Sequence, residues 1–229
     1  MQSLSVRGRG RLFGYGVDET VANEGNAYRE AWRRARTLED LGELTAAWAE
    51  GTVKWMPTDA SEPYEETEPL REVLAAINRN GFVTTFSQPG EAIDEEGRGQ
   101  RAAVEGWARE GIARCLGSLA LWTDLLVFAF EPGNYSAGYQ VPITTAVFRP
   151  FTWVGGYDGH ELLEQYAEDC SREAIEEIMQ AWTMVIIDPC WGRKSHLWEH
   201  VSAALEGRSP ETRFSVEPYH TGLDHDFGV

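Results

Sequence analysis

The sequence predicts an α+β fold with a mainly antiparallel or mixed sheet flanked by helices. Three observations carry that prediction. Apolar residues recur at helical spacing in two segments, Leu38, Leu41, Leu44, Trp48 and then Leu70, Val73, Leu74, Ile77. Other stretches are continuously β-branched or aromatic, notably 82–86, 124–130 and 182–187. The two kinds of segment mix without the regular β-α-β alternation of a parallel sheet. A length of 229 residues, 42% of them apolar, suits one large domain or one domain with an appended arm.

Taken in order, residues 1–26 are rich in Gly and Arg and read as an arm, in which Arg7, Arg9 and Arg11 form a basic cluster suited to a phosphate or an acidic partner, or simply to solvent. A helix follows over about 26–36. Thr37 with Asp40 reads as an N-cap and its capping-box partner, opening a second helix that ends near Gly51. Residues 52–65 hold Pro57 and Pro63 and read as a loop. Thr67 is expected to cap a third helix, which Asn80-Gly81 ends. The run 82–86 is a strand and 89–99 a loop with four acids. In 100–122 the first half, with alternate Ala103, Glu105 and Trp107, reads as strand and the second half as helix. Strands are expected over 124–130, 143–148 and 150–154. A single long acidic helix is expected over 160–181, then a buried strand from Trp182 to Ile187 stopped by Asp188-Pro189. Ser195 is expected to cap a last helix ending near Leu205. The tail beyond Gly207 is polar.

Composition narrows function. The formal net charge of −17 repels phosphate backbones, which argues against nucleic acid as a partner. Three separated cysteines, Cys115, Cys170 and Cys190, form no C-x-x-C and no even-numbered disulfide framework. No apolar run reaches the length of a membrane span, and the first residues lack the apolar core of a signal peptide. These features predict a cytoplasmic protein with no membrane partner. His196 and His200 lie four apart with Glu199 beside them, but the order His-Leu-Trp-Glu-His is not the His-Glu-x-x-His of zinc enzymes, and no metal is expected. His220 and His225 with Asp224 and Asp226 read as a solvated tail. Cys190 with His196 lacks a third group to orient a nucleophile and base. The Gly-x-Gly runs at 8–10, 14–16 and 97–99 do not sit between a strand and a helix as a dinucleotide site requires.

Three separated segments carry a resemblance to a known family. The first is Thr37-Leu38-Glu39-Asp40-Leu41, running to Trp48 and Gly51. The second, ungapped, is Glu66-Thr67, Leu70, Leu74, Ile77-Asn78-Arg79-Asn80-Gly81-Phe82-Val83-Thr84 and Ser87-Gln88-Pro89, continued by Gln100, Ala102 and Glu105. The third is Val185-Ile186-Ile187-Asp188, with Leu197-Trp198 ten residues on. In that order and spacing the chain resembles the C-terminal regulatory domain of methylenetetrahydrofolate reductase over residues 36–205, without the catalytic barrel. The division expected is an arm and first helix over 1–36, a regulatory-domain-like body over 37–206 and a polar tail over 207–229. The Pro-Trp that precedes the Glu-Thr pair in the family is altered here to Trp55-Met56-Pro57-Thr58.

The resemblance implies a ligand, S-adenosylmethionine or S-adenosylhomocysteine, held at Glu66, Thr67, Thr84 and Ser87, with Thr145 (or its neighbour Thr144) and Thr152 on later strands. It does not imply FAD, NAD(P)H or reductase activity, which belong to the barrel. A carboxylate and several hydroxyls suit an amino group, a carboxylate, a ribose diol and an adenine. The expected function is therefore a small-molecule sensor or regulator, with a protein partner or a homodimer left open. Two alternatives stand beside it. One is an enzyme acting on an adenosyl or nucleotide compound, for which Glu66, Glu105 and Asp188 are the titratable candidates. The other is an interaction protein that kept the fold and lost the ligand, marked by an exposed aromatic patch.

Overall fold

The computed structural model describes residues 19–58, 63, 65–133, 140–154 and 159–208; the side chains of 19–25, 66 and 159–161 lie outside that description. In chain order the elements are α1 (Glu19–Arg34), α2 (Leu38–Ala49), a 3-10 helix (Glu65–Leu70), α3 (Arg71–Arg79), β1 (Phe82–Gln88), β2 (Gly99–Ala108), α4 (Glu110–Gly117), α5 (Leu119–Trp122), β3 (Leu126–Phe130), β4 (Val141–Ala146), β5 (Arg149–Val154), α6 (Gly159–Asp169), α7 (Arg172–Met179), β6 (Trp182–Trp191) and α8 (His196–Leu205). The fold is α+β, as the two periodicities predict.

Every strand pairing is antiparallel, in the order β3-β6-β2-β4-β5 with β1 also on β2. Strand β2 organises the sheet. One of its edges carries β6. The other carries β1 opposite Ala103–Ala108 and β4 opposite Gly99 and Gln100. The Gln88 side chain fills the corner where β2 changes partner: its Nε2 donates to Arg101 O at 2.7 Å and to Ile143 O at 3.2 Å. The β4–β5 hairpin is thereby folded over one face, and the sheet curls.

The convex face, with Ala102, Val104, Met184 and Ile186, packs against α3, α4 and α8 through Leu74, Ile77, Leu116 and Leu197. The concave face has two covers. At one end Val83 and Trp107 meet Trp32, Leu41, Tyr166 and Ile178 from α1, α2, α6 and α7. At the other end Ala103, Val185 and Ile187 meet Ile143 and Val154 of the hairpin. The first cover is aromatic. Trp107 and Tyr166 ring centroids lie 4.8 Å apart, edge to face, and Trp32 donates its indole N–H to Trp55 O at 3.0 Å. Trp32 is fully buried, so α1 is built into the body.

The capping box predicted for α2 is present: Thr37 Oγ1 accepts from Asp40 N at 3.1 Å and Asp40 Oδ2 accepts from Thr37 N at 3.0 Å. Gly42 on α2 faces Asn78 O; a Cβ would lie 2.6 Å from that oxygen, so α2 and α3 approach closely only with glycine there. Five expectations need correction. Helix α1 runs Glu19–Arg34, so it begins inside the stretch expected as an arm over 1–26 rather than at about residue 26. Thr67 does not cap α3; it lies within the 3-10 helix, and Leu70 occupies the N-cap position without a side-chain bond. The acidic helix expected over 160–181 is two helices, because Ser171 stops the first and caps the second, its hydroxyl accepting from Ala174 N at 3.1 Å and donating to Ala35 O. Strand β6 does not stop at Asp188-Pro189 but continues to Trp191; Pro189 lies beyond the last pair with β3, Leu126 with Ile187, where no β3 carbonyl needs its missing N–H. Ser195 stands at the N-cap of α8, yet its side chain makes no cap bond.

Candidate functional site

The concave face has a row of side chains running across four strands: Phe86 of β1, Glu105 of β2, Val185 of β6 and Phe128 of β3, each opposite the next in register. The flanking rows are Gln88, Ala103, Ile187, Leu126 on one side and Val83, Trp107, Thr183, Phe130 on the other. Glu105 is therefore the one carboxylic acid of these rows, among side chains that are apolar or aromatic apart from Gln88 and Thr183, between the helical cover and the hairpin cover. It is 8% exposed, and its Oε2 has no hydrogen-bond partner among the described residues. Burial alone pushes its carboxyl up to about 7 from the ordinary 4.5. Such a group is near half-ionised at neutral pH. Local sequence explains the placement: Ala102-Ala103-Val104-Glu105-Gly106-Trp107 alternates across the pleat, which sends Glu105 to the same face as Ala103 and Trp107.

The residues implied by the resemblance fall into two groups. Thr67 lies on the 3-10 helix and is buried; Glu66 is beside it, with its side chain outside the described residues. Thr84 and Ser87 pair with Gly106 and Val104, on the convex face and opposite to Glu105. Thr84 is held by Asn78 of α3: its hydroxyl accepts from Asn78 Nδ2 at 2.9 Å, and its N–H donates to Asn78 Oδ1 at 2.8 Å. The second group is on the hairpin. Thr145 donates its hydroxyl to Gly97 O at 3.1 Å, and the Thr144 and Thr152 hydroxyls bond each other at 2.5 Å. The groups approach where Gln88 joins β1 to β4. Beside the first, a cleft of ≈ 420 Å³ opens between Pro69, Leu70 and Val73 and the start of α8 at Lys194, Ser195 and Trp198.

A second polar cluster lies at the far end of β6. Asp188 is fully buried, and its Oδ1 accepts from Cys190 N at 2.8 Å and from Arg193 Nε at 2.8 Å. Arg193 also meets Asp124 at 2.9 Å, and His196 Nε2 lies 2.9 Å from the other oxygen of that carboxylate. His196 and His200 rings meet edge to face at 4.6 Å. Burial lowers the His200 pKa, and the neighbouring His196 adds to that. The arginine compensates Asp188, so this cluster fastens the β6 end to the α5–β3 junction and α8. Among the described residues no group of three or more His, Cys, Asp or Glu side chains is placed to hold a metal ion.

In the sequence Glu105 and Asp188 stand as titratable candidates and as members of the segments that carry the resemblance. Gln88 stands there only as part of the Ser87-Gln88-Pro89 motif, with no role of its own, and neither Asp124 nor Arg193 carries a role. The signal available for Glu105 was an acid within an apolar strand run. No comparable local pattern exists for Arg193, which meets its partners through the fold. No helix among the described residues is long and apolar enough to cross a membrane. No curated protein matches the chain. Residues 27–208, which include the second half of α1 and every described strand, match the family described as a domain of unknown function (DUF6919), and the chain belongs to that family.

Proposed function

We propose that this protein is a cytoplasmic small-molecule-binding domain that holds a cationic ligand of the S-adenosylmethionine class on the concave face of its sheet and acts as a sensor or regulator. The observation that carries the reading is Glu105. A carboxyl with an unpartnered oxygen in an apolar setting costs stability, and such groups concentrate at functional sites. A ligand cation would supply the missing partner, while the neighbouring rings of Phe86, Phe128 and Trp107 suit a positive charge held over aromatic faces. A sulfonium or amino group meets both requirements. The resemblance to the reductase regulatory domain supplies the ligand class, and the proposed role needs neither flavin nor nicotinamide.

The test is calorimetric titration of the protein with S-adenosylmethionine and, separately, S-adenosylhomocysteine, on wild type, Glu105→Gln and Glu66→Ala. The expected result is tighter binding of the sulfonium compound, weakened by Glu105→Gln by about 1.5–3 kcal/mol, the scale of a hydrogen bond to a charged group. Loss on Glu66→Ala with no effect of Glu105→Gln would move the site to the 3-10 helix and β1. Absence of binding by either compound would remove the ligand class.

A further inference from the structure

On the β4–β5 hairpin, Val147, Phe148, Phe151 and Trp153 are 74%, 68%, 66% and 44% exposed. Large apolar side chains scattered singly over a surface need no account, but four within seven residues form a contact surface. The turn that presents them is strained. Val147 (φ 52) and Phe148 (φ 58) both adopt the left-handed conformation. A two-residue hairpin turn of this kind ordinarily takes Asn-Gly, and a β-branched residue there costs energy that folding alone does not require. The fold supports the turn from beneath. Phe148 N and the Thr145 hydroxyl both donate to Gly97 O at 3.1 Å, and a Cβ on Gly97 would lie 2.6 Å from a Phe148 ring carbon.

Charge marks the same surface. From Pro132 to Tyr157 the sequence has no Asp or Glu, in a chain with 37 of them. Beside the turn, the loop before β2 adds half-exposed Ile93 and the acids Asp94, Glu95 and Glu96, with Arg98 as their local counter-charge through ion pairs to Asp94 and Glu96. The surface is therefore an aromatic face with an acidic rim. Its complement is a segment of arginines followed by apolar and aromatic residues, and the chain contains one. Residues 7–15 read Arg-Gly-Arg-Gly-Arg-Leu-Phe-Gly-Tyr, and there is no acid among residues 1–17. They lie outside the described residues. Three residues link Tyr15 to Glu19, the start of α1, and extended at about 3.3 Å per residue they let Tyr15 sit up to about 13 Å from that helix end.

We propose that Arg7–Tyr15 of this same chain docks on the β4–β5 hairpin, its arginines on the Asp94–Glu96 rim and Leu12, Phe13 and Tyr15 on Phe148, Phe151 and Trp153. The test uses the full chain with Phe151 replaced by the photo-crosslinking residue p-benzoylphenylalanine, irradiated when dilute and mapped by mass spectrometry. The expected product is a crosslink within one chain to a peptide covering 7–15, reduced at least fivefold by Arg7→Glu/Arg9→Glu/Arg11→Glu. That triple variant should keep the wild-type melting temperature, because its positions precede α1. A crosslink joining two hairpins at twice the chain mass would overturn the proposal in favour of a second copy. Crosslinks confined to the loop before β2, with none to the arm, or a yield unchanged by the charge reversal, would overturn it as well.

Discussion

Glu105 makes a prediction that needs no ligand. Its folded pKa is raised from 4.5 to about 7 by burial, so between those values the folded state holds a proton that the unfolded state has released. Stability must then fall as pH rises through that window, by at most about 1.4 kcal/mol per pH unit, and level off above it. Glu105→Gln removes the titration. Melting temperatures of the two proteins at pH 5 and pH 8 should show the variant gaining on wild type with rising pH; a constant difference would mean that Glu105 is ionised throughout. Asp188 contrasts with it. That acid is fully buried and its Oδ2 also has no partner among the described residues, but its Oδ1 is bonded by Arg193, so Arg193→Ala removes the compensating cation and should cost about 3–5 kcal/mol in denaturant unfolding. Neither environment can be read from sequence. The alternation around Glu105 gives its face, but what covers that face comes from α1, α6 and the hairpin, elements remote in the chain.

At the scale of elements, local chemistry was legible where one segment decides the outcome. The capping box at Thr37 and Asp40 and the helix end at Asn80-Gly81 involve only neighbouring residues, and both are present. Thr67, Ser171 and Ser195 show the limit, since each is a residue type that caps helices and only Ser171 does so through its hydroxyl. Ser171→Ala removes a cap bond and the tie to Ala35 O, and should cost about 1–2 kcal/mol. Ser195→Ala should change stability by less than about 0.5 kcal/mol. Equal losses in the two variants, measured by urea unfolding, would contradict the distinction. The segment that carries the strongest resemblance also has a packing role. Asn78 holds Thr84, and Arg79 pairs with Glu43 and Glu50 of the α2 region, so those residues would be kept by the fold whether or not a ligand binds.

For the whole molecule, the fold class followed from two clear periodicities, whereas the curl of the sheet did not. Curling depends on β2 exchanging β1 for β4 at Gln88, a long-range event that no local pattern announces. That curl gives the protein its concave face and places Glu105 at the centre of it. If a cation settles there, a carboxyl that is mostly neutral at pH 6 must ionise as the ligand arrives, and its proton must leave. The measurement that tests this most directly is calorimetric titration of S-adenosylmethionine at pH 6 in buffers of different ionisation enthalpy. The expected result is release of about one proton per ligand, lost in Glu105→Gln. Binding without proton release, and with equal affinity in that variant, would contradict it.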